Sequence, residues 1–114
     1  MKLEIEVSTE TLQEIMIGAI ESAIGYWGGT DNRPQEFKAD SMKDLTLGEK
    51  VFEIIHSGGG VTIYDIEDDD EWVLTYDKFI SGLKQHGNYY FDYMDDNDYD
   101  CILQYALFNE IVFG

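Results

Sequence analysis

Residues 2–7, Lys-Leu-Glu-Ile-Glu-Val, alternate charged with aliphatic positions, the period of a half-buried strand whose inner face is Leu3, Ile5 and Val7. The period then lengthens. Leu12, Ile15, Met16, Ala19, Ile20, Ala23 and Ile24 recur at spacings of three and four, so one side of a helix is apolar. Ser8 or Thr9 supplies its N-cap and Glu10 sits in its first turn. Glu14, Gly18, Glu21 and Ser22 fall on the opposite, solvent side. The helix is expected to end near Gly25, where Gly-Tyr-Trp-Gly-Gly joins backbone freedom to two large aromatics. Polar residues 30–36, which include Pro34, read as a loop.

Between residues 45 and 56, Leu47, Val51, Phe52, Ile54 and Ile55 fit a helix ended by the glycines at 58–60, with a strand as the alternative reading. Gly58-Gly59-Gly60 lacks the Lys-Ser/Thr of a phosphate loop and precedes a strand rather than a helix, so it reads as a turn. Residues 61–66 and 71–76 are β-branched and aromatic runs on either side of Glu67-Asp68-Asp69-Asp70, which predicts a β-hairpin with an acidic tip. Phe79, Ile80 and Leu83 predict a short helix over 78–84, ended by Gly82 or Gly87. Residues 88–100 mix aromatics and acids without a period and read as a loop or irregular edge. The run from Cys101 to Phe108 is apolar almost all round, which predicts a buried helix capped by Asp98 or Asp100 and ended by Asn109. Residues 111–113 could return to the sheet as a last strand. The elements together predict a single acidic α+β domain over residues 1–114: a small sheet of three or four strands including a central β-hairpin, with helices packed on one face.

Composition decides that these elements fold. At 44% hydrophobic and 14% aromatic the chain is far from a disordered acidic tail, and 114 residues suffice for one core but not for a catalytic domain beside a separate binding domain. Charge decides the kind of surface. Seven Lys and Arg stand against 24 Asp and Glu, a net of −17, and ionised carboxylates are almost never fully buried unless paired. Such a surface repels DNA, RNA and anionic lipid, which sets aside direct nucleic-acid binding and membrane docking, and favours basic partners. No apolar run is long enough to span a bilayer, the lone Cys101 has no internal disulfide partner, and Glu4 and Glu6 interrupt any leader-like segment, so a reduced, cytoplasmic setting is expected.

Catalytic chemistry finds no support in the spacing. His56 and His86 lie in different elements and read as surface residues; Cys101 sits in an apolar stretch beside acids that raise a thiol's pKa, so it reads as core. No serine-centred elbow, paired cysteines or His-Glu-x-x-His helix occurs. Asp96, Asp98 and Asp100 have calcium-loop spacing, but Cys101 and Leu107 stand where its glycine and terminal glutamate belong. A looser divalent site from Asp92, Asp95 and Asp96 with the hairpin tip is the remaining metal reading; no cofactor or metal is expected.

The acids are clustered. Residues 58–114 hold 13 of them against two lysines, at the hairpin tip (Asp68, Asp69, Asp70, Glu71) and in a later segment (Asp92, Asp95, Asp96, Asp98) interleaved with Tyr90, Tyr93 and Tyr99. A tyrosine ring can lie against an arginine while a carboxylate pairs with it, so this array is the expected partner-binding surface for a basic nucleic-acid-binding protein. Neighbouring carboxylates on helices and strands lie only several Å apart, on the order of the charge spacing of duplex DNA, so the expected mode is occlusion by mimicry. A competing reading is an adaptor that uses Tyr26-Trp27 as an apolar anchor; another is a small-ligand or divalent-ion binder.

Tyr26-Trp27-Gly28-Gly29, the Gly-Gly-x-aliphatic hairpin opening at 59–63 with Trp72-Val73-Leu74-Thr75, and the ending Tyr105-Ala106-Leu107-Phe108-Asn109-Glu110-Ile111-Val112-Phe113-Gly114 resemble a group of small acidic proteins encoded by phages and integrative elements of Gram-positive bacteria. The resemblance carries no catalytic residues. It implies an inhibitor of the anti-CRISPR or anti-restriction kind, with a CRISPR-Cas effector or restriction enzyme as the basic partner.

Overall fold

The computed structural model describes residues 7–30, 42–68, 70–87 and 93–113. The expected strand over 2–7 and the loop over 30–36 lie almost wholly outside them; Val7 packs against the core. Helix α1 runs Thr9–Glu21, with the Ser8 hydroxyl accepting from the Thr11 backbone N–H as N-cap, and passes into a 3-10 turn at Ala23–Tyr26. β1 is the two-residue strand Gly28–Gly29. α2 is Leu47–His56, closed at its start by a capping box between Thr46 and Glu49. The hairpin is β2 Val61–Asp65 and β3 Glu71–Leu74. α3 runs Tyr76–His86 and α4 Asp96–Phe108.

The sheet is antiparallel in the order β1-β2-β3. Cross-strand pairs alternate in burial as a one-sided sheet requires: Val61 with Leu74 is buried, and Thr62 with Val73 is exposed. The helices cover the buried face. One apolar cluster joins Ile15, Met16 and Ile20 of α1, Val51, Phe52 and Ile55 of α2, Ile63 and Leu74 of the sheet, Phe79 of α3 and Ile102 and Leu103 of α4. This is the expected α+β arrangement. Among the described residues no helix is long and apolar enough to cross a membrane.

The elements differ from the sequence expectation at several places, each for a physical reason. β1 carries no strand propensity; it pairs because Gly28 comes so close that an added Cβ would sit 2.8 Å from the Tyr64 carbonyl oxygen. The second hairpin strand stops at Leu74 because Thr75 turns its hydroxyl to the Lys78 N–H and starts α3, which continues through Gly82 to Gly87, whose φ of 75° ends it. α4 begins at Asp96, a turn earlier than expected, because Asp95 and Asp98 form a reciprocal capping box. Residues 111–113 are not a strand: the N–H groups of Val112 and Phe113 both donate to Gln104 Oε1, at 2.8 Å each, which occupies the groups a ladder would need.

Candidate protein-binding surface

The C-terminal segment is latched because Gln104, fully buried, has no water to bond and finds the backbone instead. Its amide accepts from Val112 and Phe113 and donates to the Phe113 carbonyl and to Asp100 Oδ2, each at 3.0 Å. The Phe113 ring stacks on Trp27 at 4.7 Å and 7°. Trp27 is only 3% exposed, and its indole N–H donates to Asp100 Oδ1 at 2.6 Å. Trp27 is therefore core, so of the Tyr26-Trp27 pair expected as an apolar anchor only Tyr26 is exposed.

Tyr26 behaves differently. It is 53% exposed, yet its hydroxyl turns inward and donates to Asp100 Oδ2 at 2.6 Å. Burial of that end, and the bond to Asp100, push the phenol up to about 12. The ring therefore stands fixed and neutral at the surface. It walls two clefts. One, about 460 Å³, is lined with Ser22, Gly25, Tyr26, Asp96, Asn97 and Asp100. The other, about 250 Å³, is lined with Tyr26, Trp27, Asp65, Glu67, Val112 and Phe113. The ring thus separates a cleft with Asp65 and Glu67 of the hairpin from one with Asp96 and Asp100 of α4.

Within it the predicted residues have distinct surroundings. Asp68, Asp70 and Glu71 are exposed at the hairpin turn, where Asp65 Oδ1 accepts from the Glu67 and Asp68 N–H groups and shapes the bend. Asp69, Tyr90 and Asp92 lie outside the described residues. Tyr93 is 84% exposed. Asp95 is the α4 N-cap, and exposed Asp96 accepts from the Ser22 hydroxyl at 2.7 Å. Asp98, besides completing the cap, meets His86 Nε2 at 3.0 Å, and the half-burial of His86 corrects its reading as a surface residue. Tyr99 packs its ring over Gly18, where an added Cβ would lie 2.4 Å from Cδ2. That ring is committed inward rather than free to stack on a partner, and burial, with Glu14, Asp96, Asp98 and Asp95 nearby, raises its phenol pKa.

The calcium-loop spacing at 96, 98 and 100 is helical, with the three side chains bonded to Ser22, to His86 and to the Trp27–Tyr26–Gln104 set respectively. Among the described residues the carboxylates close enough to share a cation are Asp65, Asp68 and Asp70, within 4.8 Å, rather than Asp95 and Asp96 with the tip. Cys101 is half-buried, and burial first, then Asp100, Asp98 and Asp95, push its thiol up, away from nucleophilic use. Asp100 and Gln104 were missed as surface determinants; their signal is the i, i+4 spacing of two polar residues inside an otherwise apolar run.

Of the 17 described carboxylates, 13 are exposed and only Asp100 is buried, against four described lysines. Lys78 donates its ammonium to the Val73 carbonyl at 2.7 Å. No protein-family model, curated protein or solved structure matches this chain.

Proposed function

We propose that the protein is a non-enzymatic inhibitor that binds the basic nucleic-acid-binding surface of another protein and occupies it in place of nucleic acid, in the cytoplasm of a bacterial host. One observation carries the reading: the exposed Tyr26 ring stands between two clefts lined with acids, Asp65 and Glu67 of the hairpin on one side and Asp96 and Asp100 of α4 on the other. Clustered carboxylates repel one another in the free protein, and a basic partner relieves that repulsion. Phosphates of a nucleic acid make the same demand on arginines and lysines, so the face competes for the same groups. The resemblance to acidic proteins of mobile elements supports a CRISPR-Cas effector or restriction enzyme as the target class.

The test is competition. Purified protein titrated into a preformed complex of a defence nuclease with its duplex DNA is expected to displace the DNA, and its affinity for the nuclease is expected to fall steeply between about 50 and about 200 mM salt. Binding that is strong and insensitive to salt would mean an apolar interface and would remove the mimicry reading.

A further inference from the structure

We infer that the larger cleft beside Tyr26 is a guanidinium socket, which takes one arginine side chain of the protein partner with its planar cation on the Tyr26 ring and its N–H groups on Asp96 and Asp100. The inference rests on the proposed function and adds the side chain recognised. Its basis is a mismatch in charge. Asp100 is 6% exposed and lines the cleft, yet its hydrogen-bond donors are the Tyr26 hydroxyl, the Trp27 indole and the Gln104 amide, all neutral. Buried carboxylates ordinarily have a countercharge, and among the described residues no lysine, arginine or histidine lines this space. Among those residues Oδ1 accepts one bond, from Trp27, and so keeps a lone pair.

The walls fit the same ligand. The volume of about 460 Å³ lies within the range of small-molecule sites and is ample for a guanidinium and its aliphatic stem. The exposed Tyr26 ring offers a π face, its hydroxyl tethered so that the face does not swing away. Asp96 stands at the rim with Oδ2 oriented by Ser22, leaving a second acceptor for a forked donor. Arginine suits this arrangement better than lysine because its planar fork reaches two acceptors at once, stacks on a ring and is more weakly hydrated.

Two peptides of equal length and charge, one with arginines and one with lysines at the same positions, titrated by calorimetry against the full chain, decide the matter. The arginine peptide is expected to bind at least about tenfold more tightly, and Asp96→Asn is expected to remove most of that preference. Tyr26→Phe, which keeps the ring but loses its tether, is expected to retain part of it, whereas Tyr26→Leu is expected to lose it. Equal affinities, or a preference untouched by Asp96→Asn, would overturn the socket while leaving a purely electrostatic face in place. Failure of both peptides to bind at low salt would overturn the socket and the proposed function together.

Discussion

Asp100 is the residue on which the interior and the surface both depend. Its carboxylate is the acceptor for Trp27, Tyr26 and Gln104, and Gln104 in turn holds the 111–113 segment, so one side chain ties α4 to the 3-10 turn and to the C-terminal strap. An amide in its place keeps one acceptor and turns a donor toward donors. Asp100→Asn is therefore expected to cost about 3 kcal/mol, read as a lowered midpoint in urea with an unchanged slope. An unchanged midpoint would mean that the three bonds are energetically idle. Tyr26 gives a separate handle through pH. Its phenol is held to about 12 in the fold against 10.0 ordinarily, so the fold favours the protonated ring. That contribution is complete below pH 10 and is lost as pH rises through 10 toward 12, the direction of a raised folded-state pKa. Melting temperatures followed over that window are expected to fall for the native chain, and the part of the fall due to this residue is expected to vanish in Tyr26→Phe.

At the scale of elements, α3 and α4 meet at a backbone contact that only glycine permits. A Cβ on Gly82 would lie 2.5 Å from the Ile102 carbonyl oxygen and 2.7 Å from the Ala106 nitrogen, atoms that cannot move without shifting α4. Alanine gains about 1 kcal/mol of helix propensity over glycine, whereas forcing two helices apart costs typically 1–3 kcal/mol or more. Gly82→Ala is thus expected to destabilise by about 2 kcal/mol in chemical denaturation, against the sign that propensity alone dictates; a more stable variant would show that the helices separate freely. This contact also marks the limit of what was legible in the chain. α1, α2 and the hairpin carry their own periodicity and caps, and all appear, with α1 ending at Glu21 and the second strand at Leu74, short of the expected bounds. The first turn of α4, Asp-Asn-Asp-Tyr-Asp, has neither an apolar stripe nor good propensity, and it is helical through the local Asp95 capping box and through tertiary partners: His86 on Asp98, Ser22 on Asp96 and Tyr99 on Gly18. β1 and the strap are likewise settled by what lies opposite them, the Tyr64 backbone and the Gln104 amide.

For the whole molecule, the two acidic clusters were visible in the sequence, but the placing of Asp65 and Glu67 on one side of Tyr26 and of Asp96 and Asp100 on the other was not, since it depends on how α4 and the hairpin pack around the 3-10 turn. The structure also separates acids that shape the fold from acids free to bind. Asp95 and Asp98 cap α4, Asp65 shapes the hairpin bend and Asp100 is core, so changing any of them would confuse loss of fold with loss of binding. Glu67, Asp68 and Asp70 are exposed, and no described lysine is paired with them. Replacing these three by Gln, Asn and Asn removes like charges from a protein at −17, so the melting temperature is expected to hold or rise slightly. Binding to a basic partner is expected to weaken at least about tenfold at low salt, through slower association, and to become less salt-sensitive. Asp96→Asn should reproduce the loss from the other side of Tyr26. An unchanged affinity for the triple variant, with Asp96→Asn still impaired, would confine the interface to the α4 side. Unchanged affinity for both would show that the anionic face serves solubility alone, because no electrostatic interface survives the removal of charge on both of its flanks without weakening.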